Sequence, residues 1–261
     1  MVIRKPQYIV RALLLLLVVA TTGTGIVDAQ SPDLVTDRPD QTESATVVPR
    51  GLVQVETGYL FARNSDVDSH EVPGTLFRIG LGGQMELRIG HAGMIGEGGR
   101  QGAGDTTLGV KVNLVEGGDG AKPTLAILGG LSLPTGDHGF SSNSIDPSFL
   151  VSFAHDLSPR LSLGYNVGAS WESFSDLSDR DAFILYSLAL GVGVTDRLST
   201  FLELFGDRQT TSITATAMSV DGGLTFLLTE IVQLDFYVGK GLQEPTDDMF
   251  VGTGLSFRLP Q

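Results

Sequence analysis

From Gly51 onward the chain alternates apolar residues with small or polar ones at a period of two, and no stretch sustains a helical period. Successive side chains on a strand point to opposite faces, so this pattern demands strands with one apolar face. In LSLGYNVGASW, Leu161, Leu163, Tyr165, Val167, Ala169 and Trp171 share one face, and Ser162, Gly164, Asn166, Gly168 and Ser170 share the other. VQLDFYVG sets Val232, Leu234, Phe236 and Val238 against Gln233, Asp235, Tyr237 and Gly239. VGTGLSFRL sets Val251, Thr253, Leu255, Phe257 and Leu259 against Gly252, Gly254, Ser256 and Arg258. The expected class is all-β.

About twelve such segments are expected, most of them about 9–11 residues long, which is the length a tilted strand needs to cross a bilayer. They begin near Gly51, Gly74, Met85, Thr106, Pro123, Pro147, Leu161, Ala182, Leu198, Ala215, Ile231 and Phe250. Tight links (Gly82–Gln84, Leu157–Arg160, Thr195–Arg197, Thr229–Glu230) take turns with longer ones (Arg63–Glu71, Ala92–Asp105, Pro134–Asp146, Glu172–Asp181, Gly206–Thr214, Lys240–Met249). Val115–Lys122 is longer than this alternation wants. Long and short links around an even strand count describe a single antiparallel transmembrane β-barrel, with short periplasmic turns and longer outer loops. The competing architecture is a soluble lipocalin-like barrel or β-sandwich, whose apolar face lines the core. Small and polar residues crowding one face, the loop alternation, and aromatics near strand ends (Tyr59, Phe61, Trp171, Phe226, Phe257) favour the membrane.

The first 29 residues read as an export address. Arg4, Lys5 and Arg11 precede the apolar run Ala12–Ala20, and Val27-Asp28-Ala29 offers a small-x-small cleavage site. A membrane anchor needs roughly 18 apolar residues, and this run stops at Thr21. A cleaved signal peptide is therefore expected at 1–29, a polar segment at 30–50 and a barrel at 51–261. The net charge of −13 argues against nucleic acid, whose phosphates require a basic face. The chain has no cysteine, although export leads to a compartment where disulfides persist. A closed barrel needs none, because every strand is paired.

Several motifs carry a family resemblance: the opening TDRPDQTES, the ELR of Glu86–Arg88, GDTTLGVK at Gly104–Lys111, LPTG at Leu133–Gly136 and the closing SFRLP. Together, and in this order, they resemble the outer-membrane transporter family named for the MetA pathway of phenol degradation. The resemblance implies a barrel in the outer membrane of a Gram-negative bacterium, porin-like and associated in name with aromatic compounds. One departure from outer-membrane barrels in general is the end Leu259-Pro260-Gln261, which is not aromatic. Phe257 is the candidate substitute in the signal to the barrel-assembly machinery.

With the apolar face outward, Glu56, Arg78, Glu86, Arg88, Lys111, Asn166, Glu203, Asp221, Asp235 and Arg258 are expected to line the lumen. An Arg or Lys facing lipid at the midplane costs about 2–4 kcal/mol. As a set these residues read either as structural cross-strand pairs or as a selectivity lining. Twelve strands fall between barrels filled by side chains and those with open channels, so a plug can decide the matter. TDRPDQTESATVVPRG (36–51) is the candidate: Asp37, Asp40 and Glu43 can meet Arg78, Arg88 or Arg258, while Arg38 pairs with an acid. Its plain reading is a solvated linker of turn-forming residues.

No cofactor, metal or catalytic residue is expected. His70 and His138 fall in outer loops, His91 at an outer strand end and His155 near the periplasm. His138 with Asp137, Ser141 and Ser142 is the only arrangement resembling a nucleophile set, and no G-x-S-x-G elbow is present. The acidic SDLSDRD (with Asp176, Asp179 and Asp181) and Asp247-Asp248 read as solvated loops near divalent-bridged lipopolysaccharide rather than as a built cation site. GEGGRQGAGD lacks the Gly-Lys-Ser/Thr ending of a phosphate loop. The expected function is passive passage of a small, aromatic or hydrophobic solute. A non-conducting structural or adhesion barrel and a lipid-modifying enzyme are the alternatives.

Overall fold

The computed structural model describes residues 33–118, 122–173, 180–210, 216–243 and 245–259. The expected signal peptide lies outside them. The strands are β1 (Val53–Asn64), β2 (Val67–Gly82), β3 (Met85–His91), β4 (Met94–Glu97), β5 (Arg100–Ala103), β6 (Thr106–Val115) and β7 (Thr124–Leu133). They continue with β8 (Asp146–Ser158), β9 (Leu161–Ser173), β10 (Arg180–Gly193), β11 (Leu198–Gln209), β12 (Thr216–Thr229), β13 (Val232–Gln243) and β14 (Met249–Leu259). Every pairing is antiparallel between neighbours, and β1 pairs with both β2 and β14, so the sheet closes on itself. Twelve strands form this ring. The remaining two, β4 and β5, make a hairpin that extends the outer half of β2 through Ser69–Val72 against Met94–Glu97.

Two expected boundaries move outward. The segment expected at Gly74 starts at Val67, so Arg63–Glu71 is not a long loop: β1 and β2 continue past the membrane zone and join at a tight turn. Alternation is lost there because neither face of the extension is held against lipid or lumen. This also moves His70 from a loop onto a strand, where its ring meets Tyr59 Oη at 2.6 Å. Ala92–Asp105 likewise folds as the β4–β5 hairpin, which its glycines disguise.

Burial follows strand parity and inverts the rule for soluble proteins. The least exposed large side chains are Arg78, Lys111, Gln54, Glu56, Glu86 and Glu203. Leucines, valines and phenylalanines of the other parity stand exposed: Leu202 at 62%, Phe236 and Val238 at 50%. A water-soluble monomer does not expose so continuous an apolar belt. Around a closed barrel, that belt is what hydrocarbon requires. The soluble barrel and the sandwich are excluded on this ground.

Candidate functional site

The lumen holds residues 33–50, which enter near Arg258, cross the interior and return to β1. Their backbone has no strand or helix to satisfy it, and a buried amide or carbonyl left unpaired costs as much as a lost hydrogen bond. Inward side chains of the barrel take that role. Glu56 accepts the N–H groups of Asp37 and Arg38, Glu203 that of Gln41 at 2.7 Å, Asn166 that of Glu43 at 2.7 Å, and Glu86 that of Val48 at 2.7 Å. In the other direction, Gln54 donates to the Val35 carbonyl, Lys111 to Ser44, Asn113 to Ala45 and Arg78 to Thr46. Ser152 donates to the Glu43 carbonyl, and Thr42 Oγ1 to Ser187 at 2.8 Å. The contacts reach from β1 and β2 across to β8–β11, so the segment spans the lumen.

Side-chain charge reinforces the backbone. Asp37 lies against Arg78 (3.1 Å), Arg88 and Lys111 (2.9 Å). Glu43 pairs with Arg88 at 2.7 Å and Lys111 at 3.3 Å. Arg78 also bonds Glu56 and Glu86, so β1, β2, β3 and β6 are laced into one network through the segment. On the opposite flank Arg38 grips Asp235 of β13 through two bonds of 3.2 and 3.0 Å. Its guanidinium fits where the wall has no side chains. Gly58 and Gly254 face each other in register, and a Cβ on Gly58 would lie 2.5 Å from Arg38 Nη2. Pro49 and Val48 pass equally close over Gly80.

Burial raises a carboxyl's pKa, but at Asp37 the charges of Arg78, Lys111 and Arg88 outweigh it and hold the group well below the usual carboxylate range. Asp40 behaves oppositely: burial first, then the nearby Glu203, push it well above that range. Three acids converge there, because Glu203 and Asp221 are direct cross-strand partners. No Lys or Arg comes within ion-pair distance of either among the described residues.

All ten residues expected to line the lumen are buried on the inward face. The structure brings Asp37, Arg38 and Glu43 onto them. Asp40 instead meets the acids, and Arg258 meets the Asp33 carbonyl and Gln54. Lys111 as a partner of Asp37, and Gln54, Asn113 and Ser152 as backbone partners, were not anticipated. Strand parity marks each of them as inward, but only the path of the segment selects them. Outward of this network, Tyr237 and Phe250 pack with Ala62, Leu60 and Phe205 in a buried aromatic cluster on the lumen side of the wall. The suspected nucleophile set is dispersed into loop structure. Asp137 accepts the Ala103 N–H, and Ser142 donates to the Ser144 carbonyl.

Residues 36–259 match the family described as "Putative MetA-pathway of phenol degradation". No curated protein sequence matches. Among solved structures, the chain is similar to the COG4313 outer membrane channel from Pseudomonas putida F1, with TM-score 0.64, 16% identity, and 82% of this chain and 98% of that one covered. It is similar also to the NanC porin (0.56, 13%, 79% and 100%) and the KdgM porin (0.53, 9%, 78% and 98%). The fold is therefore that of outer-membrane barrels. With its apolar belt, this places the chain in a bacterial outer membrane.

Proposed function

We propose, from the premise that this chain belongs to the family described as "Putative MetA-pathway of phenol degradation", that it is a passive outer-membrane channel for small molecules, with residues 33–50 as its internal plug. The observation that carries this reading is a lumen whose inward polar groups, besides bonding one another, bind a separate stretch of chain that crosses the interior. Here Asp37 and Arg38 stand between a basic wall (Arg78, Arg88, Lys111) and an acidic one (Asp235), and removing them would leave a charged aqueous path. On this reading a solute moves down its own gradient. The aromatic cluster of Phe205, Tyr237 and Phe250, with Arg38 of the segment over the Tyr237 ring, supports the finer reading that rings or other apolar groups are accommodated once the segment is displaced. Lipopolysaccharide around the outer rim and the barrel-assembly machinery during insertion are its expected partners.

A non-conducting structural barrel is the second reading, favoured by the sheer number of bonds that hold the segment. Conductance and solute uptake of the mature protein refolded in lipid, beside a version lacking residues 30–49, separate the two. The channel reading expects a nearly closed full-length protein and an open truncation. If the truncation is folded and still silent, the barrel is structural.

A further inference from the structure

Outward of the plug, the wall formed by β6–β9 carries a cavity of about 530 Å³, in the size range of small-molecule sites. Its inward residues are Thr107, Ser132, Asp146, Ser148, Ser170 and Glu172. On β9, Asn166 holds the plug and Ser170 lies four residues further out, about 13 Å of strand. The cavity thus faces an arriving solute before the plug does. Leu131, Pro147 and Trp171 add apolar surface to its lining, and its polar groups are hydroxyls and carboxylates. Ser170 donates to Glu172 at 2.8 Å, and Ser173 to Asp146 at 2.9 Å. Arg180 sits 3.5 Å from Asp146, while Glu172 has no cation partner among the described residues. Each carboxylate keeps a further oxygen able to accept, and the serine hydroxyls both donate and accept.

We propose that this cavity is a capture site for neutral solutes bearing adjacent hydroxyl groups. Two neighbouring hydroxyls can donate to Glu172 or Ser170 and accept from Ser148 at once, whereas a carboxylate-bearing solute meets the uncompensated charge of Glu172. The aromatic wall of Phe250 and Tyr237 lies on the far side of the ring of strands, with β14 diametrically across from β8. Sugar rings and dihydroxybenzenes share this chemistry. The proposal rests on the channel reading, since it makes the cavity the first stop of a solute in transit.

Calorimetric titration of the mature protein in micelles, plug intact, with glucose, catechol and benzoate tests it. Saturable binding of glucose, catechol or both is expected, and none of benzoate. Glucose alone identifies a sugar site and catechol alone an aromatic diol site. The pair Ser148→Ala and Ser170→Ala should weaken binding roughly tenfold, from two lost hydrogen bonds, and Glu172→Gln should admit benzoate. Failure of both diols to bind a folded barrel, or binding unaltered by the paired serine variants, overturns the site. Neither result depends on conduction. A barrel that binds a diol yet stays silent without residues 30–49 keeps the site and loses the channel.

Discussion

At the scale of single residues, Asp37 carries the most. It is 7% exposed and counters three cations, which would otherwise be buried with less compensation. Removing one partner of a buried ion pair costs about 3–5 kcal/mol. Asp37→Ala should therefore lower the thermal midpoint of the folded barrel and raise its open-channel current, both read on the same refolded sample. The pH dependence follows from the sign of its shift. A carboxyl whose folded pKa is depressed stabilises the folded state fully above its unfolded value, about 3.9, and that contribution fades as pH falls through the lower folded value. Asp40 is raised, so its contribution is complete at low pH and is lost as pH climbs through its folded value. The plug should loosen as pH rises from the mildly acidic range; a current that rises only on acidification would contradict this. Glu203 and Asp221 are two buried carboxyls set directly opposite each other, with no Lys or Arg in ion-pair range among the described residues. Asp221→Asn should raise the melting temperature slightly.

At the scale of elements, the N-terminal segment and the strands are fitted to each other through missing side chains. Gly58 on β1 and Gly254 on β14 open the notch that seats Arg38. Gly254→Val fills the notch without touching a charge, so Arg38 must leave Asp235. The expected result is a current between those of the closed parent and the truncation lacking residues 30–49. In an Arg38→Ala background the same substitution should add little, because contacting residues are non-additive. Equal increments in both backgrounds would show that the glycines serve something other than the guanidinium. The same fit explains why residues 33–50 need no secondary structure. Glu56, Glu86, Glu203 and Asn166 replace the ladder partners that a strand would have had.

At the scale of the whole molecule, the barrel is organised by two solvents, hydrocarbon outside and an internal polar phase within. Leu202, near the middle of β11 and 62% exposed, tests the outer one. Leu202→Arg should cost about 2–4 kcal/mol for folding into lipid vesicles, although in a soluble protein an exposed Leu→Arg change is close to neutral. A folding yield unaltered by this change would argue that the face does not meet lipid.

Closure, strand number and facing were legible in the sequence because a period of two is local. Each residue's face is decided by its neighbours in the chain, and Leu161–Trp171 or Val251–Leu259 needs no distant information to declare which side is apolar. The inward placement of Arg78, Glu86 and Lys111 follows from the same parity. Hairpin lengths were less legible. The β1–β2 extension and the β4–β5 hairpin project beyond the two-solvent zone, where alternation loses its cause. The path of residues 33–50 was legible only as one of two readings. Their composition fits a solvated turn as well as a lumen segment, and nothing local pairs Asp37 with Lys111 or Arg38 with Asp235, about 70 and 200 residues away. Those partners become neighbours only once the sheet has closed. The sequence alone determined the wall of this protein, and only the tertiary structure decided what fills it.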